Sequence, residues 1–336
     1  METITLGQAK LLIKAMAHKE SLLLLSPPGV GKSDVIRQAA EEEGLPLRSL
    51  LGTQIAPEDV SGIPQIVNGR SVFCPPRILL PEEPEPFCLF LDELPAAAPD
   101  VQKALYALLL ERRLGEHQLP KGTWVVAAGN RQQDRALVRQ ISSALINRTF
   151  VVQIRVDLKE WMIWAQQHGI RKEIISFINF FPDALIRDVS AEPVPFSTPR
   201  AWASLSQALD LVERAGALNP DLVRALCFGR VSAADAAIFC TTLDVNSAML
   251  LTIEEYVRDP QKLPDEVTQL WFLLNRIKHH LLTGKVEVSA DELNRFLLAL
   301  PQEQRFALFA GHVWEWGRLG VSEAFLETLK QVTGLV

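Results

Sequence analysis

Along the first half of the chain, apolar runs of strand length alternate with stretches of helical periodicity. Residues 5–18 space their apolar side chains three and four apart, which predicts an amphipathic helix. Leu22, Leu23, Leu24 and Leu25 form an unbroken run of the length of a buried strand. Residues 34–43 return to helical spacing, and Gly44 stops that helix. Leu45–Leu51 reads as a second strand, with a short helix near Pro57–Ser61 after it. Apolar alternation on both sides of Asn68-Gly69 predicts a hairpin, because both turn positions need positive φ. Residues 74–86 are proline-rich and predict loop. Phe87–Leu91 is a further buried strand. Pro99-Asp100 opens a helix with Val101, Ala104, Leu105, Leu108 and Leu109 on its apolar face, closed by Gly115. Leu114–Leu119 predicts one arm of a small hairpin. Trp124–Ala128 is another buried strand, ending in Gly129-Asn130, before a helix near 135–145 and a strand at 149–155.

Strands alternating with helices over 1–155 predict a parallel sheet covered by helices on both faces. Beyond 156 the strand signals stop. Helical patterns cover 157–181, 199–215, 220–229, 232–240, 266–283, 289–299, 301–317 and 321–332. The expected organisation is an α/β core at 1–155, a helical lid at 156–245 and a C-terminal helical segment at 246–336.

The chemistry concentrates where strands meet helices. The leucine strand runs directly into Ser26-Pro27-Pro28-Gly29-Val30-Gly31-Lys32-Ser33 and then into a helix. That strand–loop–helix order is a phosphate-binding loop. Gly29 and Gly31 let successive backbone N–H groups turn inward toward phosphate oxygens. The helix beginning near Lys32 adds unpaired N–H groups and its positive dipole end. Lys32 reaches the β- and γ-phosphates, and the Ser33 hydroxyl ligates Mg²⁺. Ser26 stands where the usual pattern has glycine, and serves there provided its φ is ordinary. About sixty residues on, the run Phe87-Cys88-Leu89-Phe90-Leu91 delivers Asp92 and Glu93 to a strand end. Asp92 suits a Mg²⁺ ligand, and Glu93 a base that orients and deprotonates an attacking water.

Length and composition narrow the class. The 336 residues suffice for two or three domains, and 48% hydrophobic with 22% charged is the composition of a soluble globular protein. Apolar runs are too short to cross a bilayer, and no basic segment followed by an apolar one opens the chain. Cys74, Cys88, Cys227 and Cys240 have no paired spacing and read as free thiols of a reducing cytosol. A net charge of −6 disfavours broad binding to nucleic acid, which depends on a basic surface.

Taken in order, these motifs resemble those of the AAA+ ATPases, and more narrowly the MoxR family. Ser26–Ser33 is similar to Walker A, and Leu89-Phe90-Leu91-Asp92-Glu93-Leu94 to Walker B. Asn130 resembles the sensor 1 residue that helps position the attacking water. Ser143-Ala144-Leu145-Ile146-Asn147-Arg148 resembles the segment carrying the arginine finger, with Arg135 and Arg139 as rivals for Arg148. Ser197-Thr198-Pro199-Arg200 resembles sensor 2 of the lid. The hairpins around Asn68-Gly69 and Gly115 are marks of the branch that includes MoxR.

The resemblance spans roughly residues 1–215. It implies ATP and Mg²⁺ as ligands, a homo-oligomeric ring of six subunits, a finger arginine donated by the neighbouring subunit, and a protein client. A partner with a von Willebrand factor A domain is implied in the same way. A DNA motor or loader, with the hairpins lining a channel beside Lys103, Arg112, Arg113 and Lys121, is the alternative. A slow nucleotide-sensing scaffold is a third reading, which the presence of Glu93 opposes. Trp314 and Trp316, with Phe306, Phe309 and Phe325, read as helix-bundle core or as a docking surface. The adjacent His279 and His280 point to different faces of a helix.

Overall fold

The computed structural model describes residues 2–80, 85–114, 117–131, 142–189, 192–248, 252–264 and 288–301, with scattered positions between 270 and 281 and between 304 and 321. Arg135, Arg139, Gly115, His279, and the aromatic residues Phe306, Phe309, Trp314, Trp316 and Phe325 lie outside the described residues, as does most of the expected helical stretch 301–332.

Six parallel strands form the central sheet, in the order β1-β10-β2-β9-β6-β3. They are β1 (Thr3–Ile4), β2 (Leu22–Ser26), β3 (Leu47–Leu51), β6 (Cys88–Asp92), β9 (Trp124–Asn130) and β10 (Phe150–Ile154). The strands are nearly all apolar because both sheet faces are covered. On β2, Leu23 and Leu25 join the core cluster that holds Leu89, Leu91, Val125 and Ala127. Leu22 and Leu24 join the opposite cluster, with Phe90, Val126 and Ala128. Each fully buried leucine of this kind stabilises the fold by roughly 1.5–3 kcal/mol. The register sets Ser26 beside Asn130 and Leu51 beside Asp92, so the carboxyl ends of these strands lie together.

Around the sheet lie α1 (Leu6–Met16), α2 (Lys32–Glu42) and the short α3 (Pro57–Ser61). Thr5 caps α1 in a reciprocal capping box with Gln8. The hairpin β4 (Ile63–Val67) with β5 (Arg70–Cys74) turns through Asn68 and Gly69, at φ 51° and 73°, as the Asn-Gly pair predicts. Ile63, Ile66, Val67 and Phe73 of this hairpin are exposed. A second hairpin pairs β7 (Arg113–Leu114) with β8 (His117–Gln118). The two hairpins touch where a His117 ring nitrogen meets the Phe73 carbonyl at 3.0 Å.

Several boundaries differ from the sequence pattern. The helix after Pro99 is two, α4 (Pro99–Ala104) and α5 (Tyr106–Glu111), interrupted at Leu105. It ends at Arg112 rather than Gly115. Arg112 adopts φ 56°, and its guanidinium donates to the carbonyls of Thr123 and Ala17 at 3.0 and 2.9 Å. These tertiary bonds offset the cost of a left-handed arginine. Similarly, 157–181 divides into α7 (Leu158–Gln167) and α8 (Lys172–Phe180) at Gly169, whose φ is 68°. Strand β1 was not anticipated, since two residues carry no periodicity.

The chain separates into two compact units. The first comprises 1–218 with 228–232, and the second 219–227 with 233–336. Besides the sheet, the first contains α6 (Ser143–Ile146), α7, α8 and α9 (Pro199–Arg214). The second holds most of α10 (Pro220–Phe228), α11 (Ala233–Ala248), α12 (Ile253–Arg258) and the helix Ala290–Ala299. Ile253, Val257, Leu273, Ile277, Phe296 and Leu297 form a core of its own there. Among the described residues no helix is long and apolar enough to cross a membrane.

Candidate functional site

The site gathers at the carboxyl ends of β2, β9 and β6, where open parallel sheets bind ligands. From β2 the chain enters the loop Pro27–Gly31. Ser26 still belongs to β2 and is not among the residues of positive φ, so its backbone is ordinary where the usual pattern has glycine. Gly29 and Gly31 take φ of +74° and +113°, the left-handed region the inward-facing loop needs. The Gly29 carbonyl accepts the Arg200 backbone N–H at 3.0 Å, joining the loop to the start of α9.

Lys32 is 8% exposed. Its Nζ donates to the Ser26 hydroxyl at 2.8 Å, to the Pro27 and Ser26 carbonyls at 3.2 and 3.3 Å, and to Asn130 Oδ1 at 3.3 Å. The amine is therefore folded over the loop and shared with β9. Ser33 Oγ lies 3.4 Å from Asp92 Oδ2, so a hydroxyl and a carboxylate oxygen face one another across the end of the sheet. An oxygen pair of this kind suits a hard divalent cation. Glu93 follows in a left-handed conformation, φ 52° and ψ 30°. Non-glycine residues hold such backbone only where their surroundings impose it. Here the Glu93 N–H donates to Asp92 Oδ1 at 2.9 Å, and the Thr53 hydroxyl donates to Glu93 Oε2 at 3.2 Å.

A cavity of about 410 Å³ opens from Gly29, Val30 and Gly31. Leu6, Val35, Val156, Trp161 and Trp164 give it apolar walls. Glu160 shapes one side, its carboxylate accepting the Thr5 hydroxyl at 2.6 Å and the Gly7 N–H at 3.0 Å. A flat, mostly apolar ring attached to a phosphate chain fits this volume.

Of the residues expected from sequence, Ser26–Ser33, Asp92, Glu93 and Asn130 are brought together. Arg200 is exposed at the first turn of α9 and lines the same cavity. Arg148 is not part of this cluster. Its guanidinium lies 4.7 Å from the centre of the Tyr106 ring and donates to the Ala144 carbonyl at 2.9 Å. Sequence reasoning missed Thr53, Glu160 and the cavity walls. Trp161 and Trp164 at a three-residue spacing were visible as one helix face, but nothing local tied that face to the loop. Among the described residues no group of three or more His, Cys, Asp or Glu is placed to hold a metal ion.

Fold and loop together make a P-loop architecture, a six-stranded parallel sheet flanked and followed by helices. Residues 21–149 match the model of the AAA domain, dynein-related subfamily. No curated protein matches the chain. Among solved structures, the chain is similar to the RuvB Holliday junction branch migration motor of Thermotoga maritima. The identity is 16%, with 87% of this chain and 86% of that one covered, at a TM-score of 0.42. It is also similar to NtrX from Brucella abortus in complex with ADP, at 14% identity over 98% of this chain and 68% of that one, TM-score 0.38.

Proposed function

We propose that this protein is an Mg²⁺-dependent ATPase of MoxR type that works as a homo-oligomeric ring and remodels a protein client. The observation that carries the reading is the convergence of Lys32, Ser33, Asp92, Glu93 and Asn130 at three adjacent strand ends. The loop N–H groups and Lys32 bind the phosphates, and the 410 Å³ cavity takes the base. Ser33 and Asp92 would hold Mg²⁺, which when bound neutralises charge on the β- and γ-phosphate oxygens. Glu93, restrained by Thr53, orients the attacking water and accepts its proton. Asn130 helps position that water. Arg200 of the same chain and Arg148 of a neighbouring one stabilise the charge that develops on the transferred phosphoryl group. An arginine so placed contributes about 10³–10⁵ in rate.

Donation of Arg148 across a subunit interface couples hydrolysis to ring assembly. The two hairpins β4–β5 and β7–β8 support the narrower MoxR type, and with it a partner bearing a von Willebrand factor A domain. The domain plan 1–155, 156–245 and 246–336 belongs to the same reading. The net charge of −6 favours a protein client over DNA.

Glu93→Gln tests the assignment. ATP binding should persist while turnover falls by about 10²-fold or more. The solution mass with saturating ATP and Mg²⁺ should rise to that of a ring. Unchanged turnover would remove Glu93 as the base. Hydrolysis stimulated by DNA, with stimulation falling as salt rises, would replace the protein client with nucleic acid.

A further inference from the structure

A second cavity, of about 320 Å³, shares Gly29 and Arg200 with the one just described. It adds Pro28 of the loop, Thr198 at the cap of α9, and Gly229-Arg230 from the segment that follows α10. Its described lining contains two arginines, Arg200 and Arg230, and no carboxylate. That is unusual local chemistry in a chain whose acidic residues outnumber its lysines and arginines, 40 to 34.

The segment carrying Arg230 is fixed in place. Val231 is fully buried, and the Ser232 N–H donates at 3.1 Å to the hydroxyl of Ser197, the neighbour of Thr198. Arg230 itself is exposed, as is Arg200. Two cations lining one small cavity repel each other, and an anion with several oxygens relieves that repulsion.

The position along the loop says which anion. The base-side cavity is lined by Gly29, Val30 and Gly31, and the second one by Pro28 and Gly29. Lys32 Nζ reaches the Ser26 and Pro27 oxygens, on the Pro28 side of the loop. Pro27, whose carbonyl accepts from Lys32 Nζ, is followed directly by Pro28 and Gly29 of the second cavity's wall, so that cavity borders the stretch of loop where Lys32 meets the phosphate chain. We propose that Arg230 binds the terminal phosphate of the bound triphosphate together with Arg200, in the same chain. The pair makes the site prefer a nucleoside triphosphate to a diphosphate. This inference rests on the ATPase reading above. A bidentate guanidinium suits the task, because its planar fork matches two phosphate oxygens at once.

The experiment uses the full chain carrying Glu93→Gln, so that ATP persists, with Mg²⁺ present. Dissociation constants for ATP and ADP are measured by competition with a fluorescent nucleotide. Adding Arg230→Ala should weaken ATP about tenfold and leave ADP within about twofold, the loss expected of one charge-assisted contact. Arg230→Lys should recover part of the ATP affinity. Equal changes for ATP and ADP, or none, would overturn the role of Arg230. Lys32→Ala in the same background separates the two readings. If it leaves ATP binding undiminished, the ATPase reading fails; if it abolishes binding while Arg230→Ala leaves the ATP-to-ADP ratio unchanged, only this inference fails.

Discussion

Replacing Gly29 with alanine tests how the phosphate loop is held against the helix that follows it. The new Cβ would stand 2.6 Å from Thr198 Oγ1 and 2.9 Å from Thr198 Cβ. Carbon atoms pack at about 3.5–4.0 Å, so one side must yield. Thr198 is 5% exposed, and its hydroxyl caps α9 by accepting the Ala201 N–H at 3.0 Å. Moving it sacrifices that cap, at about 1 kcal/mol. The φ of +74° adds a left-handed penalty of roughly 1–2 kcal/mol for any residue with a Cβ. Gly44 supplies the control, because its φ is +67° and a Cβ there meets nothing within 4 Å. Gly44→Ala should therefore cost about 1 kcal/mol through strain alone. Gly29→Ala should cost about 3 kcal/mol, the strain together with the displaced cap and crowding. At roughly 2–4 °C per kcal/mol for a domain of this size, the thermal transition falls by about 2–4 °C in the first case and about 6–12 °C in the second. ADP affinity should fall in Gly29→Ala only, since the Gly29 carbonyl also receives the Arg200 N–H. Equal thermal shifts for the two variants would refute the contact between loop and cap as the source of the difference.

Two further outcomes follow from the same geometry. Glu160→Ala removes the acceptor of the Thr5 hydroxyl and the Gly7 N–H, and should destabilise the first unit by about 2 kcal/mol while weakening ATP and ADP alike; an unaltered melting curve with unaltered affinities would contradict it. Of the four cysteines, only Cys74 is half-exposed, and burial pushes the Cys88 thiol up to about 12. At pH 8 Cys88 thus stays protonated and enclosed, and a thiol reagent should label the native chain at Cys74 well before the other three. Labelling of Cys88 at the rate of Cys74 would show that β6 opens.

Much of this site was legible in the linear sequence because its chemistry is local. Ser26–Ser33 carry their own turn glycines, amine and hydroxyl in one short stretch, and Asp92-Glu93 end a run that only a buried strand explains. The Asn68-Gly69 turn follows from the two positive φ values that few other pairs tolerate. The alternation of strand and helix periods announced the parallel sheet for the same reason, since each period reflects which faces of one element avoid water.

Tertiary structure decided what depends on distant partners. Ser33 and Asp92 face each other only because β2 and β6 flank β9. Thr53 acquires its role from the close approach of its loop to Glu93, and Glu160 from the docking of α7 on the N-terminus of α1. Arg112 ends a helix without glycine because carbonyls at Ala17 and Thr123 hold its guanidinium. Arg230 comes to line one cavity with Pro28 and Gly29 through a segment anchored on Ser197. Periodicity reports the burial of one element at a time; a hydrogen bond between residues far apart in the chain leaves no such mark, and only the packed fold reveals it.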